Sequence, residues 1–204
     1  MKEALLIFIK NPELGKAKTR LAATLGDKKA LEIYHYLLAH TRQVSLDLPV
    51  KRKLYYSSFI DKNDLWSNSA YDKYLQDQSP DLGQKMYSAF LENYNEGIPR
   101  ALIIGSDCLD LTPEILTEAY NLLSKKEAVI GPAKDGGYYS IGFNFERMGK
   151  ESIHALQKLF LNKSWSHEKV FSEAISAFQE LEIDYFEMPT LSDVDVEEDI
   201  KHLL

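Results

Sequence analysis

A chain of 204 residues, 45% hydrophobic and 27% charged, has the make-up of a soluble globular protein long enough to bury one full core, and nothing in it suggests a second domain. Its net charge of −7 argues against a nucleic-acid partner, because binding to a phosphate backbone normally shows as a basic face. No apolar run approaches bilayer length, residues 4–9 are followed by no cleavage-type segment, and the single cysteine, Cys108, allows no intrachain disulfide, so a cytoplasmic protein is expected.

Strands and helices alternate along the chain. Residues 4–9 form an apolar run of strand length, followed by a loop carrying Pro12 and Gly15. A long helix is predicted from Asp27 to about Leu46, where Ala30, Tyr34, Leu37, Leu38, Thr41 and Val44 recur with helical period. Residues 53–57 read as a second strand, 71–76 as a weaker third and 82–94 as a helix. Residues 101–105, Ala-Leu-Ile-Ile-Gly, are the clearest buried strand. Thr112-Pro113-Glu114 opens the next helix with an N-cap and a proline at the first position. Then come a strand at 127–131, another at 138–143, helices near 151–161 and 166–181, and a strand at 183–188. Strands separated by helices imply a single-domain, three-layer α/β/α fold over residues 1–204, with a mostly parallel sheet and helices on both faces.

Ligands of open parallel sheets sit beyond the carboxyl ends of the strands, and the polar clusters of this chain all follow apolar strands. Lys10, Lys16, Lys18, Thr19 and Arg20 follow Ile9; Ser106, Asp107 and Asp110 follow Ile104; Lys134 and Asp135 follow Ile130; Asp193 and Asp195 follow Met188. The charges are also segregated. Residues 1–30 hold seven basic against three acidic residues, and 182–204 hold eight acidic against Lys201. A basic head and an acidic tail on one domain suit a phosphate ligand beside a metal site, although two solvated faces of opposite sign would read the same way.

Gly15-Lys16-Ala17-Lys18-Thr19 has the look of a phosphate loop, but Lys10 and Ala17 occupy positions where the P-loop requires glycine and a hydroxyl residue. No GxGxxG follows the first strand either. What remains is a cation-dense loop able to neutralise a di- or triphosphate, with Lys16 and Lys18 as point charges and Arg20 as a bidentate fork. Asp107, at a strand end, is a hard oxygen ligand suited to magnesium shared with such phosphates, an ion that takes only one or two protein carboxylates.

Gly131-Pro-Ala-Lys-Asp135-Gly136-Gly137-Tyr-Tyr139 puts a carboxylate and a glycine pair between two apolar strands, a corner where a ligand can approach the chain closely. Asp-Gly is equally a common hairpin signal. Asp193-Val-Asp195 fails as an EF-hand, since Glu198 stands where glycine is required, and too few residues follow it for a phosphatase domain. It is left as the N-cap of a final helix from Val196, through Asp195, or as a metal or acceptor contact. Cys108 reads as a small buried residue and not a nucleophile, since no histidine is near it in sequence. Alternation on a strand makes at least one of Tyr138 and Tyr139 core, Trp165 reads first as a packing residue, and the five histidines show no metal-ligand spacing.

Taken together, Phe8-Ile-Lys10-Asn-Pro12-Glu-Leu-Gly15-Lys-Ala-Lys18-Thr19-Arg20-Leu21, Asp81-Leu82-Gly83, Gly105-Ser106-Asp107-Cys108, the Gly131 to Tyr139 stretch, Trp165-Ser166 and Leu191-Ser-Asp193-Val-Asp195 resemble the DUF2064 family. The resemblance covers essentially the whole chain. It implies a GT-A fold of the nucleotide-diphospho-sugar transferase superfamily, with assignment as glycosyltransferases and a fold kinship to guanylyltransferases for phospholactate and the molybdenum cofactor. It further implies a nucleotide site in the loop after the first strand, a divalent metal near Asp107 and an acceptor pocket near Asp135. Leu109 departs from the proline usual after Ser-Asp-Cys, and His167 from the small hydroxyl residue usual after Trp-Ser, which bears on acceptor identity.

The expected activity is therefore transfer from a nucleotide-activated donor, with magnesium or manganese as cofactor and a small-molecule acceptor. Lys10, Gly15, Lys16, Lys18, Arg20 and Ser106 would bind the nucleotide, and Asp107 and Asp135 would be catalytic. Asp107, Asp193 and Asp195 would hold the metal; Asp135, Gly136, Gly137 and Tyr138 would face the acceptor. Glycosyl transfer from a nucleoside diphosphate sugar leads. Nucleotidyl transfer from a triphosphate and a non-catalytic nucleotide-binding module stand beside it, and a homodimer is left open.

Overall fold

A computed structural model describes residues 3–200 of the chain. Seven strands form one sheet in the order β3-β2-β1-β4-β6-β5-β7. In chain order they are β1 (Glu3–Ile9), β2 (Lys51–Tyr56), β3 (Asp72–Leu75), β4 (Arg100–Ile104), β5 (Ala128–Pro132), β6 (Tyr138–Asn144) and β7 (Tyr185–Glu187). All neighbouring pairs are parallel except those of β6, which runs antiparallel to both β4 and β5. The mostly parallel sheet expected from the alternation of elements is present, and the antiparallel strand arises from the Asp135-Gly-Gly corner acting as a hairpin connection.

Side chains that alternate along each strand divide the core into two layers. Leu5, Ile7, Ile9, Leu102, Ile104 and Val129 point to one face, which is covered by α1 (Thr19–Leu25), α2 (Asp27–Leu46) and α4 (Pro113–Leu123). Ala4, Leu6, Ala101, Ile103, Ile130, Ile141 and Phe143 point to the other, under α3 (Leu82–Asn95), the short α5 (Phe145–Met148), α6 (Ser152–Phe160) and α7 (Val170–Glu180). The three-layer arrangement follows, with strands buried on both sides as their unbroken apolar runs require. Among the described residues no helix is long and apolar enough to cross a membrane.

Several elements differ from the sequence expectation, among them the short α5, a helix at Phe145–Met148 where the sequence reading has none. Residues 19–25, read as loop, are the helix α1; its N-cap is Lys18 in a left-handed conformation with no capping side chain, so the usual start signal is missing. α7 begins at Val170 and not at Ser166, because Ser166 has φ 66° and cannot continue a helix. The final helix expected from Val196 is, within the described residues, a 3-10 turn at Glu197–Ile200, and the continuation lies outside them. Its start is capped by Asp199, whose Oδ2 accepts the Asp195 and Val196 amides, which leaves the Asp195 carboxylate for other partners.

Candidate functional site

From β1 the chain winds outward through β2 to β3, then returns to place β4 on the opposite side of β1. The connections leaving β1 and β4 therefore diverge and open a crevice at their carboxyl ends. A cleft of about 770 Å³ lies there, lined by Lys10 after β1, Ser106 and Asp107 after β4, and Asp135, Gly137 and Tyr138 at the head of β6.

Tyr34, a buried residue of α2, holds the two strand ends together. Its hydroxyl receives the Lys10 amide at 2.9 Å, donates to the Lys10 carbonyl at 3.0 Å and lies 3.3 Å from Ser106 Oγ. Burial pushes the phenol's pKa up, so it remains a neutral donor and acceptor. Gly105 makes room for the neighbouring carboxylate, since a Cβ there would lie 2.9 Å from Asp107 Oδ1.

The charged centre is built from three distant parts of the chain. Lys18 Nζ lies 2.8 Å from Asp107 Oδ2 and 3.1 Å from Asp195 Oδ1, with its side chain only 8% exposed. Arg20 Nη1 takes the other Asp195 oxygen at 3.2 Å from a largely exposed position. Burial works against the Lys18 charge, but attraction to Asp107 and Asp195 outweighs it and raises the ammonium's pKa above its ordinary value.

Asp193 and Asp195 reach this point because the segment after β7 is sewn across the sheet edge. The Met188 amide donates to the Ile130 carbonyl, Leu191 pairs with Ala133, and Asp193 pairs with Cys108 while the Val194 amide donates to Asp107 O at 2.8 Å. Burial first, then the neighbouring Asp107 and Asp135 carboxylates, holds the Asp193 carboxyl well above the usual carboxylate range, and its Oδ1 is buried without a hydrogen-bond partner.

The opposite wall of the cleft is apolar. Phe8, Leu82, Met86, Tyr138 and Trp165 line it, with Glu168 and His167 at its margin. Trp165 stacks at 21° on Phe160 and sits against Gly83, where a Cβ would approach its ring to 2.7 Å. Asp135 accepts the Gly137 amide at 2.9 Å through Oδ1. Gly136, at φ 90°, meets the loop before α7: a Cβ there would lie 2.1 Å from the Glu168 carbonyl, and its own carbonyl accepts the Phe171 amide at 2.9 Å. At the far end, Gln76 gives its amide hydrogens to the Ile9 and Tyr55 carbonyls. That fixes the amide's orientation beside the ends of β1 and β2.

The structure thus brings Lys10, Lys18, Arg20, Ser106, Asp107, Asp135, Gly137, Tyr138, Asp193 and Asp195 around one cleft. Lys16, Gly15 and Gly136 do not line it. Lys16 is exposed and pairs with Glu13 at 2.8 Å, Gly15 turns at φ 73° beside Asp27, and Gly136 faces the Glu168 backbone. Both tyrosines border the cleft: Tyr139 is buried with its hydroxyl on the Pro189 carbonyl, and Tyr138 is half-buried with its hydroxyl 3.8 Å from Met86 Sδ. Cys108 is buried, and burial pushes its thiol up to about 12. Gln76 carries no sequence signal for the cleft, whereas Trp165 and Tyr138 of that wall and His167 at its margin are named by the motifs that resemble the family.

Among the described residues no three of histidine, cysteine, aspartate and glutamate gather into a protein-only metal cage. The carboxylates of Asp107 and Asp195, bridged by one ammonium, instead present a pair of hard-oxygen donors carried by loops. Such a set fits a magnesium or manganese ion that takes its remaining ligands from phosphate and water.

Comparison with known proteins accords with this architecture. A protein from Desulfovibrio desulfuricans G20, provisionally assigned as a nucleotide-diphospho-sugar transferase, has a structure that aligns with 99% of this chain and 86% of its own, with a TM-score of 0.86 and 29% identity. A cytidylyltransferase from Leptospira borgpetersenii serovar Hardjo-bovis shares the fold at a TM-score of 0.60 and 15% identity, over 100% of this chain and 85% of its own. So does Rv0371C of Mycobacterium tuberculosis H37Rv, solved in complex with manganese, at 0.54 and 12%, over 100% and 98%. No functionally curated protein matches by sequence. The family described as uncharacterized proteins conserved in bacteria, DUF2064, matches residues 40–167, and the chain belongs to that family.

Proposed function

We propose that the protein is a metal-dependent transferase acting on a nucleotide-activated donor, and that the donor is a nucleoside diphosphate sugar. The observation that carries this reading is the meeting of Lys18 with Asp107 and Asp195 at the topological switch point, in a cleft also lined by Lys10 and Arg20. Cations and hard-oxygen carboxylates side by side are what a di- or triphosphate with its counter-ion requires. Magnesium or manganese held by Asp107 and Asp195, with Asp193 beside them, would neutralise charge on the departing phosphates.

In this reading Lys10, Lys18 and Arg20 hold the phosphates and Ser106 fixes the entry to the nucleotide end. Asp135, with one oxygen anchored by the Gly137 amide, orients an acceptor hydroxyl or takes its proton. The apolar wall of Phe8, Met86, Tyr138 and Trp165 excludes water from the reacting atoms. Glycosyl transfer is favoured because Asp135 and Glu168 flank the acceptor side, where they suit hydroxyl groups and repel a phosphorylated acceptor.

Nucleotidyl transfer is the second reading, favoured by the density of cations around Lys18. Incubation with manganese and a panel of uridine, guanosine, cytidine and thymidine diphosphate sugars, followed by assay of released nucleoside diphosphate, tests the first. Release of pyrophosphate from a triphosphate, with diphosphate sugars left intact, would replace it by the second.

A further inference from the structure

Resting on that reading of the cleft, we propose that Lys18 is a built-in counter-ion that occupies the cation position between Asp107 and Asp195 until nucleotide phosphates draw it away, so that metal and nucleotide enter together. The backbone is committed to this placement. Lys18 adopts φ 50° and ψ 47°, the left-handed conformation that is unfavourable for a non-glycine residue and persists only where its surroundings hold it. In return its stem is buried and its ammonium bridges two carboxylates supplied by distant parts of the chain, the loop after β4 and the tail after β7.

An ammonium hydrogen-bonded to Asp107 Oδ2 and Asp195 Oδ1 and a divalent cation ligated by the same oxygens exclude one another, by contact and by like charge. Binding of free metal must therefore expel Lys18 from both of the carboxylates it is hydrogen-bonded to. A bound nucleotide changes that balance. Lys18 lines the same cleft as Lys10, and its flexible four-carbon stem allows the ammonium to turn from carboxylate to phosphate. Asp195 stays anchored meanwhile, because Arg20 holds its other oxygen. Nucleotide then raises metal affinity, and metal raises nucleotide affinity by the same factor.

Manganese chloride binding, followed by the electron paramagnetic resonance signal of the free ion, tests the proposal on wild type, Lys18→Met, Lys18→Gln and Lys85→Gln. Lys85 lines the same cleft and pairs with neither carboxylate, so its variant controls for loss of a positive charge. Circular dichroism establishes that each variant is folded, and two Lys18 variants guard against one that is not. The expected result is that both Lys18 variants bind manganese alone at least tenfold more tightly than wild type, with Lys85→Gln within twofold of it. Uridine, guanosine and cytidine diphosphate, added in turn, should include one that tightens manganese binding by wild type tenfold or more and by the Lys18 variants far less.

Equal manganese affinity in wild type and the Lys18 variants, the same gain in Lys85→Gln, or no manganese binding by any of the proteins would overturn the proposal. Failure of the nucleotide-donor reading looks different: no nucleotide would bind, while the gain in metal affinity on removing the Lys18 charge would persist and uphold the competition.

Discussion

The hydroxyl of Tyr34 is joined to both backbone groups of Lys10, receiving the amide at 2.9 Å and donating to the carbonyl at 3.0 Å, so α2 fixes the point where the chain leaves β1 and enters the cleft. Tyr34→Phe leaves the partly buried Lys10 amide without its acceptor and releases Ser106 from its neighbour. The cost should be about 1–3 kcal/mol of stability, which for a chain of this size lowers the melting midpoint by roughly 2–4 °C per kcal/mol. Nucleotide affinity should fall with it, because Lys10 and Ser106 lose their common support. An unchanged midpoint would mean that water replaces the hydroxyl at no cost.

Gly136 joins the β5–β6 connection to the loop before α7. Alanine at this position places a Cβ about where the Glu168 carbonyl now sits, on a backbone of φ 90° that disfavours any side chain. The loop carrying Ser166, His167 and Glu168 must move outward, and these residues line the part of the cleft proposed to receive the acceptor. Gly136→Ala should therefore lose turnover at least tenfold while nucleotide binding, measured by calorimetry, stays within a few-fold of wild type. Loss of both together would place the nucleotide site on this loop as well.

Asp193→Asn separates stability from function. The folded state holds the Asp193 proton more tightly than the unfolded chain does, through burial and then the nearby Asp107 and Asp135 carboxylates. A raised carboxyl pKa gives a contribution fully present below the unfolded value and lost as pH climbs through the folded one. The asparagine variant should match wild type at about pH 3–4, the range of an ordinary carboxylate, and become more stable towards neutrality, by on the order of 1 kcal/mol in chelator. Magnesium added together with a nucleoside diphosphate that binds should reverse the order, since only wild type keeps the carboxylate. Melting curves in chelator from acid to neutral pH check this, and a less stable variant at neutral pH would contradict it.

Much of this arrangement is legible in the sequence because it is local. The apolar runs of β1 and β4 announce buried strands, and Lys10, Asp107 and Asp135 each stand just beyond a strand end, where the topology must put a site. What was not legible is either non-local or without a residue-type signature. Lys18 and Asp195 meet across 177 positions because main-chain bonds at Met188, Leu191 and Val194 carry the tail over the sheet edge, and backbone pairing of that kind leaves no pattern in side chains. α1 escaped notice because a left-handed lysine stands where a capping side chain would be expected. Lys16 reads like Lys18 in a list of charges, and only the turn at Gly15 directs one to Glu13 and the other to Asp107.

Thermal melting of wild type and Asp107→Asn, with and without magnesium, across nucleoside diphosphate sugars and triphosphates, shows whether the cleft binds a nucleotide together with a metal at Asp107. A ligand at a hundred times its dissociation constant adds about 2.7 kcal/mol. The midpoint of wild type should rise by several degrees with at least one nucleotide, in a magnesium-dependent way that is lost in folded Asp107→Asn. No shift with any nucleotide, or an equal shift in the variant, would contradict it.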